Sequence, residues 1–328
     1  MRPLLHRLSQ AALLLCACQG LEAQELNLLA GVMSTDAGQS SYSYHLGYSQ
    51  DFYRNLAASL TYINEGHIPG HHRDGYAVEA WLRIPTPHNR FSVALGLGAY
   101  FFYDTQRLPD GLSADVHGTA PILSLSGTGY LSNRIFYRVT LDRIQPAHDT
   151  KVNNAVVGIG YWFGQNSKPT PGEFGHAPDE QASVTGNELT LFAGQSVVNT
   201  FFSQSARAYA LEYRRGIVKH VDWTTSFIYE GNPQIVRRAG FATQAWAVNN
   251  FFEDRVALGI GLGPYVYIDR KHPEGIGPIN PAAVAPLASL MITGRLSERW
   301  HLRLIVNRVT SSYNRDADIM LLGLGCRW

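Results

Sequence analysis

Apolar residues alternate with small, polar or aromatic residues along most of the chain. In residues 93–104, one set of alternate positions is apolar throughout, and the other holds mainly small and aromatic residues and ends in Asp104. Residues 320–328 repeat the pattern and end in Trp328. A period of two is typical of β-strands whose two faces differ. We therefore expect an all-β chain of successive strands, each of roughly 10 to 14 residues.

The face opposite the apolar one is almost free of lysine, and the whole chain contains only four. The water-facing side of a soluble β-sandwich would be rich in charged residues. A transmembrane β-barrel instead directs its apolar face at lipid and encloses small, aromatic and hydrogen-bonding side chains, and closure leaves no unpaired edge. Short connections alternate with longer ones rich in Gly, Pro and Asn. This alternation is typical of bacterial outer-membrane barrels.

The sequence repeats itself at an offset of 165 residues. Trp81 matches Trp246 and Arg138 matches Arg303 without a gap over this span. We predict a signal peptide at residues 1–23, a first eight-strand repeat at 24–164, a Pro/Gly-rich linker at 165–187 and a second eight-strand repeat at 188–328. Strands of the second copy are predicted to begin near Glu188, Ala206, Asp222, Arg238, Arg255, Ala282, Trp300 and Ala317.

Sixteen antiparallel strands fit either one 16-stranded barrel or two tandem eight-stranded barrels. The wide barrel would enclose water, whereas side chains just fill an eight-stranded barrel. The long linker, and bulky Tyr100 and Tyr265 opposite inward glycines, favour two barrels. The rarity of two membrane barrels on one chain favours one, and the single barrel is the architecture we expect.

Composition narrows the functional classes. Of 328 residues, 45% are hydrophobic and 16% are charged, and 27 Lys and Arg balance 26 Asp and Glu. A disordered chain would be more charged and poorer in aromatic residues. A nucleic-acid-binding protein would carry a basic excess, so we expect no nucleic-acid partner.

The first 23 residues have the pattern of a secretory signal. Arg2 and Arg7 precede an apolar stretch at residues 11–18, which is too short to span a bilayer as a helix. A lipoprotein signal with Leu15-Cys16-Ala17-Cys18 as its lipobox is the alternative. Beyond residue 23 the only cysteine is Cys326, so an intramolecular disulfide cannot form.

Inward positions of the predicted strands carry a set of charged and amide side chains. They are predicted to form an internal network of ion pairs and hydrogen bonds, because buried charges need partners. The alternatives are a lining that selects ions or solutes and a pair of carboxylates for hydrolysis. The inward set comprises Glu65, Glu79, Asp104, Arg138 and Asp142 in the first copy and Glu230, Gln244, Asp269, Arg303 and Asn307 in the second.

Residues 300–314 and 319–325 resemble the last two strands of outer-membrane lipid A deacylases of the acyloxyacyl-hydrolase-like type. The resemblance implies an eight-stranded barrel with a His-x-Ser catalytic motif on a late strand. The matching positions hold Asn307 and Val309, and in the first copy Asp142 and Ile144. The chain thus lacks the imidazole base and the serine nucleophile there, which argues against that activity.

We expect no cofactor and no metal. His67, His71 and His72 cluster in one loop, but the equivalent loop at residues 231–238 has no histidine, and a metal site needs three or four convergent ligands.

The sequence therefore predicts a non-enzymatic barrel of the bacterial outer membrane, serving as a channel or passage for small polar solutes or a polymer. A lipid A-modifying hydrolase and a surface adhesin or receptor are the alternatives. Expected partners are outer-membrane lipid and lipopolysaccharide, the barrel assembly machinery, and a small polar solute or polysaccharide.

Overall fold

The computed structural model describes residues 24–53, 55–86, 90–131, 134–147, 150–163, 184–200, 204–233, 236–252, 254–270 and 282–328. The predicted signal peptide, and the predicted linker up to residue 183, lie outside them. No helix in the described part of the chain is long and apolar enough to cross a membrane. The chain divides into two compact units, each of which is a closed antiparallel barrel.

Eight strands form the first barrel in sequential order, and β8 returns to pair with β1. Their lengths run from 10 residues in β7 to 18 residues in β6. The strands are β1 (Gln24–Thr35), β2 (Ser40–Tyr53), β3 (Leu56–Ile68), β4 (His71–Pro85), β5 (Phe91–Arg107), β6 (Ser113–Tyr130), β7 (Ile135–Ile144) and β8 (Val152–Trp162).

The second barrel repeats this order and closes through pairing of β16 with β9. Every strand of this barrel begins within two residues of its predicted start. The strands are β9 (Glu188–Val198), β10 (Gln204–Val218), β11 (Val221–Tyr229), β12 (Arg238–Phe251), β13 (Val256–Asp269), β14 (Ala282–Arg295), β15 (Trp300–Val309) and β16 (Ala317–Arg327).

The expected single 16-stranded barrel is therefore wrong, and the tandem alternative describes the fold. The physical reason lies in the closing pairs, which run from Glu25↔Trp162 to Thr35↔Val152 in the first barrel. They use the edge hydrogen-bonding groups that a neighbouring copy would need. Glycine permits this close approach: a Cβ at Gly158 would collide with the Leu28 carbonyl, and one at Gly194 with the Met320 carbonyl.

The strands expose apolar side chains and bury polar ones, which is the reverse of the arrangement in a soluble protein. Strand β7 alternates strictly between exposed and buried residues, and its exposed residues include Val139 and Leu141. Exposure reaches 64% at Leu97 and 67% at Leu191, whereas Glu25 and Arg238 are fully buried. Polar and charged side chains therefore fill the interiors together with aromatic and aliphatic groups, and the apolar surface points outwards.

Candidate functional site

Each barrel has two ends that differ in their connections. We call the turn end the one at which β1 or β9 begins and β8 or β16 ends. Its connections have two to five residues, whereas those at the opposite end have two to seven in the first barrel and five to twelve in the second. The loop end is the opposite one. Between the two ends, the inward polar side chains lie in three groups: one near the turn end, one in the middle and one near the loop end.

Glu25 is the centre of the turn-end group in the first barrel. Its carboxylate accepts hydrogen bonds from Arg83 at 2.8 and 3.2 Å and from Arg138 at 2.6 Å. Arg138 also donates through Nε to the Thr128 hydroxyl at 2.9 Å, and Arg83 lies 2.8 Å from Asp51. Two arginines and two carboxylates thus balance their charges where the interior would otherwise open at the turn end.

The second barrel builds this group around Arg303, which matches Arg138. Arg303 donates to Glu188 through Nη2 and to Glu212 through Nη1, the latter at 2.9 Å. Its Nε donates to Thr293 at 2.9 Å, as Arg138 does to Thr128. Arg214 adds a second cation, 3.3 Å from Glu212. Arg138 and Arg303 thus have the same threonine partner in the two barrels. Arg138 pairs with one carboxylate, whereas Arg303 pairs with two.

The middle of the first barrel holds two carboxylates. Ser124 donates to Glu79 at 2.6 Å, and Nδ1 of His45 lies 3.5 Å from Asp142. Glu79, Asp142 and His45 border a small cavity of about 30 Å³. Since one water molecule needs roughly 10–15 Å³, the cavity has room for about two waters and is too small for a solute.

Neutral amides replace both carboxylates in the middle of the second barrel. Gln244 donates to the Ser289 hydroxyl at 2.8 Å and to the Leu287 carbonyl at 3.2 Å. Ser289 in turn donates to Asn307 at 2.6 Å. Three neutral side chains, from β12, β14 and β15, therefore form one connected chain of hydrogen bonds inside the barrel.

An arginine at the loop end ties the last connection to the barrel wall. Arg73 of β4 donates to Glu65 at 2.8 Å and to the carbonyl of Thr150, which precedes β8, at 3.2 Å. Asp104 of β5 lies 2.8 Å from Nδ1 of His71. The connection between β7 and β8 is thus held across the loop end.

The second barrel repeats this tie at equivalent positions. Arg238 donates to Glu230 at 3.0 Å and to the carbonyl of Arg315 at 2.8 Å. The Arg315 side chain is itself buried, and it and the Tyr313 hydroxyl donate to Asp269 at 3.4 and 3.1 Å. Burial raises the pKa of Tyr313, so its hydroxyl keeps its proton and serves as a neutral donor.

All ten inward residues predicted from the sequence are buried. They do not meet in one place. Arg138 and Arg303 belong to the turn-end groups. The middle groups contain Glu79 and Asp142 in the first barrel and Gln244 and Asn307 in the second. The loop-end groups contain Glu65, Asp104, Glu230 and Asp269.

Sequence reasoning missed several partners of these ten. The sequence did contain a signal for two of them. Arg73 and Arg238 are separated by the repeat offset, and so are their partners Glu65 and Glu230. Glu25 and Glu188 also match, at an offset of 163. The missed residues that complete the networks are Glu25, Arg73, Arg83, Glu188, Glu212, Arg214, Arg238 and Arg315.

No group of three or more potential metal ligands lies together among the described residues. The rings of His67 and His72 contact each other with their centres 4.2 Å apart, and His71 pairs with Asp104. Asn307 and Val309, at the positions matched to the deacylase motif, are buried inside the second barrel.

No family model matches the chain, and no curated protein matches it. Among solved structures, it is similar to the N-terminal β-barrel domain of Pseudomonas aeruginosa OprF, with 16% identity over 44% of this chain and 100% of that chain and a TM-score of 0.37. Neisserial surface protein A has 10% identity over 44% and 99% of the two chains and a TM-score of 0.34.

A third similar structure is Ail, the attachment invasion locus protein of Yersinia pestis, in complex with the heparin analogue sucrose octasulfate. It has 16% identity over 44% of this chain and 99% of that chain, with a TM-score of 0.33. At such scores, the strand register of each unit, and not these similarities, establishes the two closed barrels.

Proposed function

We propose that the protein spans the bacterial outer membrane with two barrels that anchor it and conduct no solutes. The exposed apolar side chains support the membrane location. They occur on successive strands around each barrel, as at Leu28, Leu97 and Leu141 in the first and Leu191 and Leu304 in the second. Water would disfavour so much exposed apolar surface, whereas the hydrocarbon core of a bilayer accommodates it.

The filled interiors carry the non-conducting part of the proposal. Eight strands enclose only enough space for side chains, and buried ion pairs occupy both ends of each barrel. The cavity next to Glu79 has room for only about two waters. A passage for a polar solute or a polymer through one shared wide lumen does not fit the described strands, which form two separate barrels.

Reconstitution of the purified full chain tests both parts. We expect the protein to stay with lipid vesicles through alkaline carbonate extraction and to migrate differently in SDS gels before and after heating, as folded membrane barrels do. In planar bilayers it should give no stepwise currents, with a 16-stranded porin as the positive control. Extraction into the soluble fraction would overturn the membrane location. Reproducible unitary steps would overturn the non-conducting part.

A further inference from the structure

A cation recurs in every connection at the turn end. Each of the three connections in the first barrel has one Arg, and the equivalent connection of the second barrel has Arg or Lys exactly one repeat offset later. Arg54 lies outside the described residues. The six positions are Arg54, Arg90 and Arg134 in the first copy and Lys219, Arg255 and Arg299 in the second.

Main-chain hydrogen bonds hold four of these residues in the same way. In each case, the amide of the last residue of one strand donates to the carbonyl of the cationic residue that precedes the neighbouring strand. The arginine backbone is therefore fixed at the edge of the barrel. The bonds are Tyr130 to Arg90, Trp162 to Arg134, Arg295 to Arg255 and Arg327 to Arg299, each 2.8 Å long.

Exposed apolar side chains accompany these arginines. Phe91 directly follows Arg90 and Ile135 directly follows Arg134, and both begin strands with their side chains outwards. Leu131, in the same connection as Arg134, is also exposed. Apolar and aromatic side chains beside long cationic ones are typical of the boundary between hydrocarbon and lipid headgroups, where arginine extends its charge towards the headgroup.

The turn ends of the two barrels differ in the number of acidic residues in their connections. In the second copy, Glu253, Asp254 and Glu298 stand beside the cations, and Asp254 pairs with Arg295 at 3.2 Å. The corresponding connections of the first copy contain no Asp or Glu. The inward carboxylates nearest to that end, Glu25 and Asp51, are paired with inward arginines. The turn end of the first barrel is thus the more positive of the two.

We propose that the turn end of the first barrel binds the phosphate headgroups of anionic glycerophospholipids. This inference rests on the proposed membrane-spanning function. Short turns of outer-membrane barrels lie on the periplasmic side, where the bilayer leaflet consists of phospholipids. Arg90 and Arg134 supply charge and hydrogen-bond donors for phosphate, while Phe91 and Ile135 contact the adjoining acyl chains.

Lipid selectivity of the full chain in phosphatidylcholine vesicles tests this inference. Trace amounts of acyl-chain spin-labelled phosphatidylglycerol or phosphatidylcholine report how strongly each lipid associates with the protein. We expect the wild-type protein to prefer phosphatidylglycerol, and the preference to fall as salt screens the charges. The double variant R90Q/R134Q should lower the preference by up to about five-fold for each arginine removed. The matched control R107Q/R143Q removes two exposed arginines near the loop end of the same barrel and should leave it unchanged.

The outcomes separate this inference from the proposed function. An unchanged preference in R90Q/R134Q, or an equal loss in R107Q/R143Q, would overturn the headgroup site. Carbonate extraction of the same vesicles reports insertion independently. Loss of insertion in the wild-type protein would overturn the membrane location, whereas full insertion without any preference for the anionic lipid would overturn only the headgroup site.

Discussion

Glu79 and Asp142 occupy the middle of the first barrel, and Gln244 and Asn307 occupy the equivalent positions in the second. In both barrels a serine joins the set, Ser124 in the first and Ser289 in the second. The ends of the barrels differ much less. An arginine with a threonine partner stands at each turn end, and an arginine bonded to a carboxylate and to a loop carbonyl stands at each loop end.

The two interiors agree at their ends and differ in the middle, which shows that residue choice is more restricted at the ends. A buried arginine cannot lose its proton and needs an anionic partner, so replacing one member of an ion pair leaves the other uncompensated. A serine hydroxyl can donate to glutamate, as Ser124 does to Glu79, or accept from glutamine, as Ser289 does from Gln244, so this middle position tolerates either residue. The second barrel has neutral amides there and keeps its charges near the ends, whereas the first has acidic groups along its whole length.

We predict the largest difference in stability between the barrels at the turn end, where Arg138 pairs with one carboxylate and Arg303 with two. Among the described residues, Glu25 is the one carboxylate that pairs with Arg138. The substitution Glu25→Gln removes this partner, and we expect it to destabilise the first barrel by about 3–5 kcal/mol. Glu188→Gln should cost less, because Arg303 retains Glu212 at 2.9 Å. Hydrogen exchange of the full-length protein in vesicles, resolved by peptide, measures each barrel separately.

Faster exchange should be confined to peptides from residues 24–163 in the first variant and from residues 188–328 in the second. Equal effects of the two substitutions would show that Glu212 does not act as a second partner for Arg303.

Exchanging the middle positions tests the second contrast. Within the described part of the chain, Ser124 donates to Glu79 and no arginine or lysine forms an ion pair with it. Burying a carboxyl group without a cation is unfavourable at neutral pH, because the group must either keep its charge in the interior or take up a proton. At neutral pH we therefore expect E79Q/D142N to stabilise the first barrel and Q244E/N307D to destabilise the second, each by about 1–3 kcal/mol.

Urea unfolding in detergent micelles, followed by the heat-dependent shift in SDS gels, measures both exchanges. The single variants S126A and T293S serve as controls, since each removes only small inward groups. If Q244E/N307D stabilised the second barrel, carboxyl groups in the middle of a barrel would not be the cost that we infer.

The period of two and the repeat offset predicted strand starts within two residues of those of the second barrel, and ten inward positions that are all buried. They could not determine the number of barrels, because closure depends on which strand β8 pairs with, and strand β1 and the next copy offer similar edges. Partners were also missed. Glu25 and Arg138 are 113 residues apart in the chain, and a period of two defines a face of the sheet without giving the height at which two side chains meet.

A tryptophan that occurs at matching positions of the two copies gives the smallest contrast. Trp81 donates to Ser59 at 2.8 Å and Trp246 to Thr224 at 2.9 Å, but their surroundings differ. Trp81 and Ser59 border the cavity of the first barrel, whereas Trp246 is almost fully buried with the Arg214 guanidinium 4.4 Å from its ring centre.

We expect Thr224→Val to destabilise the second barrel by about 1 kcal/mol, because the buried indole N–H loses its acceptor. Ser59→Ala should cost the first barrel less, since a water molecule in the adjoining cavity can accept the hydrogen bond from Trp81. Peptide-resolved hydrogen exchange compares the two losses in the same full-length background. An equal loss in both barrels would mean that the cavity supplies no water to Trp81, and that the two interiors are alike at this level despite their different middle layers.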